Sequence, residues 1–151
     1  MAQTQVPLRL RLKDAAFRLG TGIHRTLFTI SKGRIFGTAL GMPVIVLVTT
    51  GRRSGKARST MLTVPLIDGE PLMLVASFGG DDRHPAWYRN LQANPEVRVI
   101  RAGSTRRMVA RVASSEEKAR LWPRIVAKYP LYAGYQEKTD RPIPVVILEP
   151  R

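Results

Sequence analysis

The sequence predicts one α+β domain built on a mainly antiparallel sheet or barrel, and three observations carry that prediction. Short apolar or alternating segments recur from residue 44 onward, separated by turn signals such as Asp68-Gly69 and Ala102-Gly103-Ser104; short turns favour hairpins over the long crossovers that parallel strands need. Helical spacing is confined to a few separate stretches, so helices and strands do not alternate as regular βαβ units. At 151 residues the chain has the length of a single domain with a single core.

From the start of the chain, Leu8, Leu12, Ala15, Leu19, Ile23 and Ile30 recur at helical spacing while Arg11, Arg18 and Arg25 repeat on another face. The spacing predicts one or two amphipathic helices, broken at Gly20-Thr21-Gly22 and closed at Lys32-Gly33-Arg34. The expected division is a basic helical segment over residues 1–35 and one ligand-binding domain over 36–151. Val44–Val48 is a β-branched run and reads as a buried strand. Leu62–Ile67, Asp68-Gly69 and Leu72–Ala76 read as two short strands about a hairpin turn, with Pro65 and Pro71 blurring their edges. Pro85–Leu91 is a helix with Pro at its start, ended by Asn94-Pro95. Glu96–Ile100 and Thr105–Val112 alternate as half-exposed strands. Ser114-Ser115-Glu116-Glu117 opens a helix with a capping box, and Pro123 is expected to interrupt or restart it before it ends near Tyr129-Pro130. Ile143–Leu148 is the last strand, held to an edge or a late start by Pro142 and Pro144. The tally is about six strands and three or four helices.

Composition narrows the chemistry. There is no cysteine, which removes thiolate catalysis, disulfides and cysteine metal sites; no metal is expected, and a reducing cytoplasmic setting suits such a chain. No long uncharged apolar run and no leader-like N-terminus is present, so the expectation is a soluble, unexported protein. With 25 Lys+Arg against 11 Asp+Glu the formal net charge is +14, which calls for an anionic partner. Nucleic acid, an anionic membrane and a phosphate-bearing small molecule all answer that field. Seven cations against one Asp in the first 35 residues would also suit a helix lying on the inner face of the cell membrane.

Two constellations can carry function. Thr49-Thr50-Gly51-Arg52-Arg53-Ser54-Gly55-Lys56-Ala57-Arg58 places four cations, three hydroxyls and two glycines between strands, a composition able to wrap an anion. It lacks Walker A spacing, and no dinucleotide fingerprint occurs, which disfavours a nucleotide triphosphatase or a Rossmann dehydrogenase. Ser77-Phe78-Gly79-Gly80 leads through Asp81-Asp82-Arg83-His84 to Pro85-Ala86-Trp87-Tyr88-Arg89-Asn90-Leu91, a glycine-bearing strand-to-helix crossing against which a flat ring could lie. Each has a plainer reading: a solvated basic connection, a surface His84, a Trp87 that is simply core.

These two segments, with Tyr129-Pro130-Leu131-Tyr132-Ala133-Gly134-Tyr135 and Thr139-Asp140-Arg141-Pro142-Ile143-Pro144 after them, closely resemble the deazaflavin-dependent nitroreductase family of actinobacteria. The likeness runs from about Val44 to the end of the sequence. It implies a split β-barrel related to flavin-binding barrels, coenzyme F420 as cofactor, and hydride transfer to a small electron-poor acceptor such as a quinone, nitroaromatic or activated alkene. By position, Arg53, Lys56 and Arg58 would contact the phosphate and the glutamate tail, with Thr50 and Ser54 donating hydroxyls. Pro65, Ser77, Phe78, Gly79, Trp87 and Asn90 would line the ring and its side chain. Ser77, Tyr129, Tyr132 and Tyr135 would bind the acceptor and donate a hydrogen bond or proton. Phe78 stands where well-known members carry Lys, which implies one tail contact fewer, with Arg83 and Arg89 the nearby cations. Two other readings stay open: a non-catalytic module binding nucleic acid or an anionic membrane, and a barrel holding flavin mononucleotide.

Overall fold

The computed structural model describes residues 38–151; the helices expected over residues 8–30 lie outside the described residues. The strands are β1 (Thr38–Ala39), β2 (Met42–Thr50), β3 (Ala57–Thr63), β4 (Leu66–Ile67), β5 (Leu72–Val75), β6 (Glu96–Arg101), β7 (Ser104–Val112) and β8 (Val145–Pro150). The helices are α1 (Ala86–Ala93), α2 (Ser115–Lys128) and α3 (Leu131–Glu137). All strand pairs are antiparallel, and the sheet runs β1-β2-β6-β7-β8-β5-β4 with β3 on the other side of β2. Because β3 and β4 are consecutive in the chain and joined only through the buried Val64 and Pro65, the two ends of the sheet are tied together and it must curl. The result is a split antiparallel barrel of the α+β class, as the sequence predicts.

The core follows from the pleat. Inward-facing Ile45, Leu47, Val97, Val99, Met108, Ala110, Val146 and Leu148 enclose Trp87, Tyr88 and Leu91 of α1, so alternate residues of each strand meet one helix face. On the outer side of β5 and β8, Met73, Val75, Val145 and Ile147 are covered by Leu121 and Ile125 of α2 and Tyr132 of α3. Val44, Val46 and Val48 form a third cluster on the outer face of β2 with Met61 and Ile100.

Three expectations need correcting. The strand expected over Leu62–Ile67 is displaced: β3 begins at Ala57 and stops at Thr63, and Pro65 separates it from β4. The exposed residues Ala57–Ser59 carry no apolar alternation, because among the described residues β3 pairs only with β2. Pro123 does not interrupt α2, which runs unbroken for 14 residues. Its ring is exposed, and the buried Leu121 and Ile125 on either side hold the helix to the sheet despite the missing backbone bond. α2 ends at Lys128, beside Tyr129-Pro130 as expected, but the helical region does not stop there and continues as α3. The capping box is present as predicted, Ser114 Oγ accepting from the Glu117 N–H at 3.1 Å and a Glu117 carboxylate oxygen accepting from the Ser114 N–H at 2.9 Å. Ala102 and Gly103, with φ of 47° and 81°, make the β6–β7 turn, both central residues left-handed as a tight hairpin twist requires.

Candidate functional site: a cationic hairpin and a tyrosine-bearing junction

The β2–β3 connection is a compact turn. Gly51 N–H donates to the Lys56 carbonyl and Gly55 N–H to the Gly51 carbonyl, both at 2.8 Å. A Cβ on Gly51 would stand 2.7 Å from Ser54 Oγ and 3.2 Å from the Lys56 carbonyl oxygen, so a larger residue would have to displace the Ser54 hydroxyl. Ser54 Oγ also accepts from the Lys56 N–H at 3.3 Å. Arg52, Arg53, Lys56 and Arg58 are all exposed, and none has an acidic partner among the described residues. Four unneutralised cations on a glycine-bearing turn fit a phosphate or carboxylate chain.

Asn90 fixes that turn to α1. It is 5% exposed, its Oδ1 accepts from the Arg52 N–H at 3.2 Å and its Nδ2 donates to Thr49 Oγ1 at 3.1 Å. Trp87, one helical turn earlier, is buried in the barrel core and packs edge-on against Tyr88 with ring centroids 6.3 Å apart. Pro65 is buried in the β3–β4 link. All three residues are buried.

At the end of β5 the chain turns through Ser77 into a short 3-10 turn, Phe78–Gly80, where Phe78, Gly79 and Gly80 all have positive φ. Gly80 docks on α3 so closely that a Cβ would lie 2.8 Å from the Tyr135 carbonyl oxygen. Phe78 is half-exposed, with the Arg83 guanidinium 5.5 Å above its ring. Arg83 itself forks onto Asp81 through two bonds of 2.9 Å, and that guanidinium holds the Asp81 carboxyl down at about 2.

The tyrosines divide by what their hydroxyls touch. Tyr129 donates to the Gly41 carbonyl at 3.1 Å. Tyr132, 4% exposed, shares a 3.1 Å hydrogen bond with Thr63 Oγ1, and burial pushes its phenol pKa up. Its ring meets Tyr135 edge-on at 5.8 Å. The hydroxyls of Ser77 and Tyr135 have no hydrogen-bond partner among the described residues, and none of those residues has a fully buried polar side-chain atom left unpaired. Both hydroxyls therefore reach open space.

Arg141 is the residue that sequence reasoning left without a role. Its guanidinium donates to the carbonyls of Ala76 (3.1 Å), Ser77 (2.9 Å) and Asp81 (2.8 Å) and lies 3.3 Å from His84 Nδ1. Thr139 Oγ1 adds a 2.7 Å bond to Asp82. Gln136 braces the same segment, donating to the carbonyls of Thr139 and Arg141 and accepting from the Ile143 N–H. Burial, then the charges of Arg141 and Arg89, lower the His84 pKa. The Thr139-Asp140-Arg141 motif is thus a lock on the turn that carries Ser77 and Phe78; its position in the late motif was the available signal.

The arrangement has a length. Along β3 the cation-bearing Arg58 pairs with Thr49, and Thr63, which holds Tyr132, pairs with Val44. Five residue steps, about 17 Å of strand, separate them, and the odd number turns the two side chains to opposite faces. Among the described residues one cleft of about 350 Å³ lies where β2 and β6 part, and one of about 400 Å³ lies at the barrel mouth between Glu70 and Arg106. Neither is lined by Ser77, Trp87 or the tyrosines.

The fold is a split antiparallel barrel that carries a basic hairpin and a hydroxyl-bearing junction, a composition able to take an anionic molecule. The family model for F420H(2)-dependent quinone reductases matches residues 21–150, and the chain belongs to that family. It is 40% identical over 136 residues to an F420H(2)-dependent quinone reductase of Mycobacterium tuberculosis, covering 85% of this chain and 89% of that one. A second relative from the same organism, bearing the name putative F420H(2)-dependent quinone reductase, is 45% identical over 114 residues, 73% of this chain and 92% of its own. Among solved structures, an F420-H2 dependent reductase shares 42% identity with a TM-score of 0.64, covering 71% of this chain and 94% of that chain. Another, a domain-swapped dimer, shares 38% identity with a TM-score of 0.66 over 83% of this chain and 95% of its own.

Proposed function

We propose that this protein is a reductase that uses reduced F420 to reduce a flat electron-poor acceptor, a quinone first, with nitroaromatics and activated alkenes open to the same chemistry. The observation that carries the reading is the exposed turn with four cations that have no acidic partner among the described residues, clamped to α1 through Asn90. The anionic part of an F420 molecule would bind there. Arg53, Lys56 and Arg58 would hold the phosphate and tail, with the hydroxyls of Thr50 and Ser54 beside them. Ser77, Phe78 and Gly79 would bound the ring, over a floor that Pro65, Trp87 and Asn90 keep rigid. When bound, the deazaflavin supplies the hydride.

The chain's own work is positioning and polarisation. The open hydroxyls of Ser77 and Tyr135 are placed to donate to the oxygen on which negative charge develops. The Tyr129 hydroxyl donates to Gly41, while Tyr132 shares its bond with Thr63 and keeps its own proton for an acceptor when Thr63 donates. A lipophilic acceptor would be met at a membrane, so peripheral association through residues 1–35 accompanies the proposal; liposome sedimentation of the full chain and of a chain lacking residues 1–30 tests it.

The primary test is a fluorescence titration with oxidised F420 and, in parallel, flavin mononucleotide, followed by turnover of a soluble quinone with reduced F420. Saturable binding of the deazaflavin alone, lost in Arg53→Ala plus Arg58→Ala, is expected. Binding of flavin mononucleotide in its place, or of neither, refutes the proposal.

A further inference from the structure

The inner face of the barrel does not stay apolar to its end. Pairs across β6 and β7 run Val97 with Met108, Val99 with Arg106 and Arg101 with Ser104, and Val97, Val99 and Met108 belong to the core. Alternate residues of a strand share a face, so Arg101, Ser104 and Arg106 continue the core-facing side past its last apolar layer. They line the cleft of about 400 Å³, with Ile67, Leu72, Val99 and Met108 as its apolar lining and Glu70 of the β4–β5 turn on the other side. This cleft lies at the far end of β6 from the cationic hairpin and at the far end of β5 from Ser77.

Three charges in this cleft are unanswered. Arg101 and Arg106 are diagonal neighbours on one face, about 7–8 Å apart, and neither makes an ion pair with a described residue. Glu70 has no cationic partner either, although two arginines line the same cleft, whereas Asp68 in the same turn is held by Arg124 at 3.2 Å. Opposite charges face a common space without closing on each other, which suits a molecule that bears both signs. Guanidinium forks match a carboxylate, Glu70 matches an ammonium group, and the apolar lining matches an apolar body. A fatty acid or an inorganic anion would leave Glu70 facing its own sign. A nucleotide would find no aromatic side chain to stack on among the described lining residues.

We propose that this cleft is a second binding site, for a small zwitterion with an apolar body, an α-amino acid of the leucine or methionine kind. Its carboxylate would sit between Arg101 and Arg106 beside the Ser104 hydroxyl, its ammonium group against Glu70, and its side chain over Leu72, Val99 and Met108. The site shares no residue with those that would hold the deazaflavin or the acceptor, so it stands or falls independently of the reductase reading.

The test titrates L-leucine into the 15N-labelled full chain, in parallel with isocaproate, which lacks the ammonium group, and isoamylamine, which lacks the carboxylate. Saturable shifts at the amides of Gly69, Ala102 and Ser104 are expected, with a Kd for leucine of about 1 mM or tighter. Each fragment should bind about fivefold more weakly, the loss of one screened ionic contact. Arg101→Gln/Arg106→Gln should abolish the leucine shifts, and Glu70→Gln should bring isocaproate level with leucine. Both variants should keep the natural thermal midpoint, because the three replaced side chains are exposed. The Glu70→Gln comparison decides on its own if the double variant does not fold. Either fragment binding the natural protein as tightly as leucine, shifts confined to other residues, or no shift at about 20 mM leucine, where a Kd near 1 mM gives almost full occupancy, overturns the proposal.

Discussion

Replacing Arg141 by alanine is expected to loosen the turn that carries Ser77 and Phe78 before it disturbs anything else. The guanidinium serves three backbone carbonyls and faces His84. Ser77 O retains a second partner, the Gly80 N–H at 2.9 Å, whereas the carbonyls of Ala76 and Asp81 would lose the arginine donor. Leaving a buried acceptor unpaired costs about 1–3 kcal/mol, and bonds from a charged donor sit at the upper end of the usual range. Arg141 is only partly buried, and water can enter its place, so the net loss should be about 2–4 kcal/mol. At this chain length that corresponds to a fall of roughly 5–12 °C in melting temperature. Thermal unfolding by circular dichroism measures it. Arg141→Lys should recover less than half, since one ammonium cannot span acceptors in three directions. Arg124→Ala, which removes an exposed ion pair with Asp68 at 3.2 Å, is the control and should shift the midpoint by no more than about 2 °C. A drop at Arg141 no larger than the control's would refute the idea that this residue locks the turn.

Three further outcomes are expected. His84 has its pKa lowered in the folded protein, so its contribution to stability is complete above about pH 6.5, the unfolded value, and is lost as pH falls through the folded one. Urea midpoints at pH 7.5 and 5.5 should converge in His84→Asn; Asp81, held at about 2, titrates below that window, and an unchanged pH slope in the variant would count against the assignment. Gly80→Ala combines φ of 85° with a Cβ 2.8 Å from the Tyr135 carbonyl and should cost about 2–4 kcal/mol, while Gly79→Ala, with φ of 68° and open space, should cost about 1 kcal/mol; equal melts for the two would show that docking of the turn on α3 contributes little. Asn90→Ala should lower stability by about 1–2 kcal/mol and weaken deazaflavin binding through disorder of the hairpin, read as a loss of Arg52 amide protection in hydrogen exchange, and normal protection there would contradict the clamp.

The strands whose side chains alternate toward the core were readable at sequence level. Val44–Val48, Glu96–Ile100 and Thr105–Val112 lie within β2, β6 and β7, and Ser114-Glu117 caps α2 where its spacing says it should. What failed was decided by tertiary context. Ala57–Ser59 belongs to β3 only because Thr49 and Val48 pair with it, and nothing apolar in those residues reveals that. Pro123 is tolerated because its neighbours are packed. The cationic hairpin was legible as an anion-binding composition, and the late tyrosine motif only through family likeness. Arg141 was not legible, since it acts through the carbonyls of Ala76, Ser77 and Asp81, far away in sequence and brought to it only by the fold.

The place of β8 has a bearing on how the molecule is made. It comes last among the strands yet lies between β7 and β5, so the sheet remains in two pieces, β2-β3-β6-β7 and β4-β5, until residues 145–150 have been synthesised. A nascent chain would carry the unpaired edges of β5 and β7 throughout that interval, each a template for pairing with another chain. Shortening the protein by those few residues should therefore produce aggregation rather than a smaller barrel, and the β2–β3 hairpin would be paired well before the barrel beside it could close.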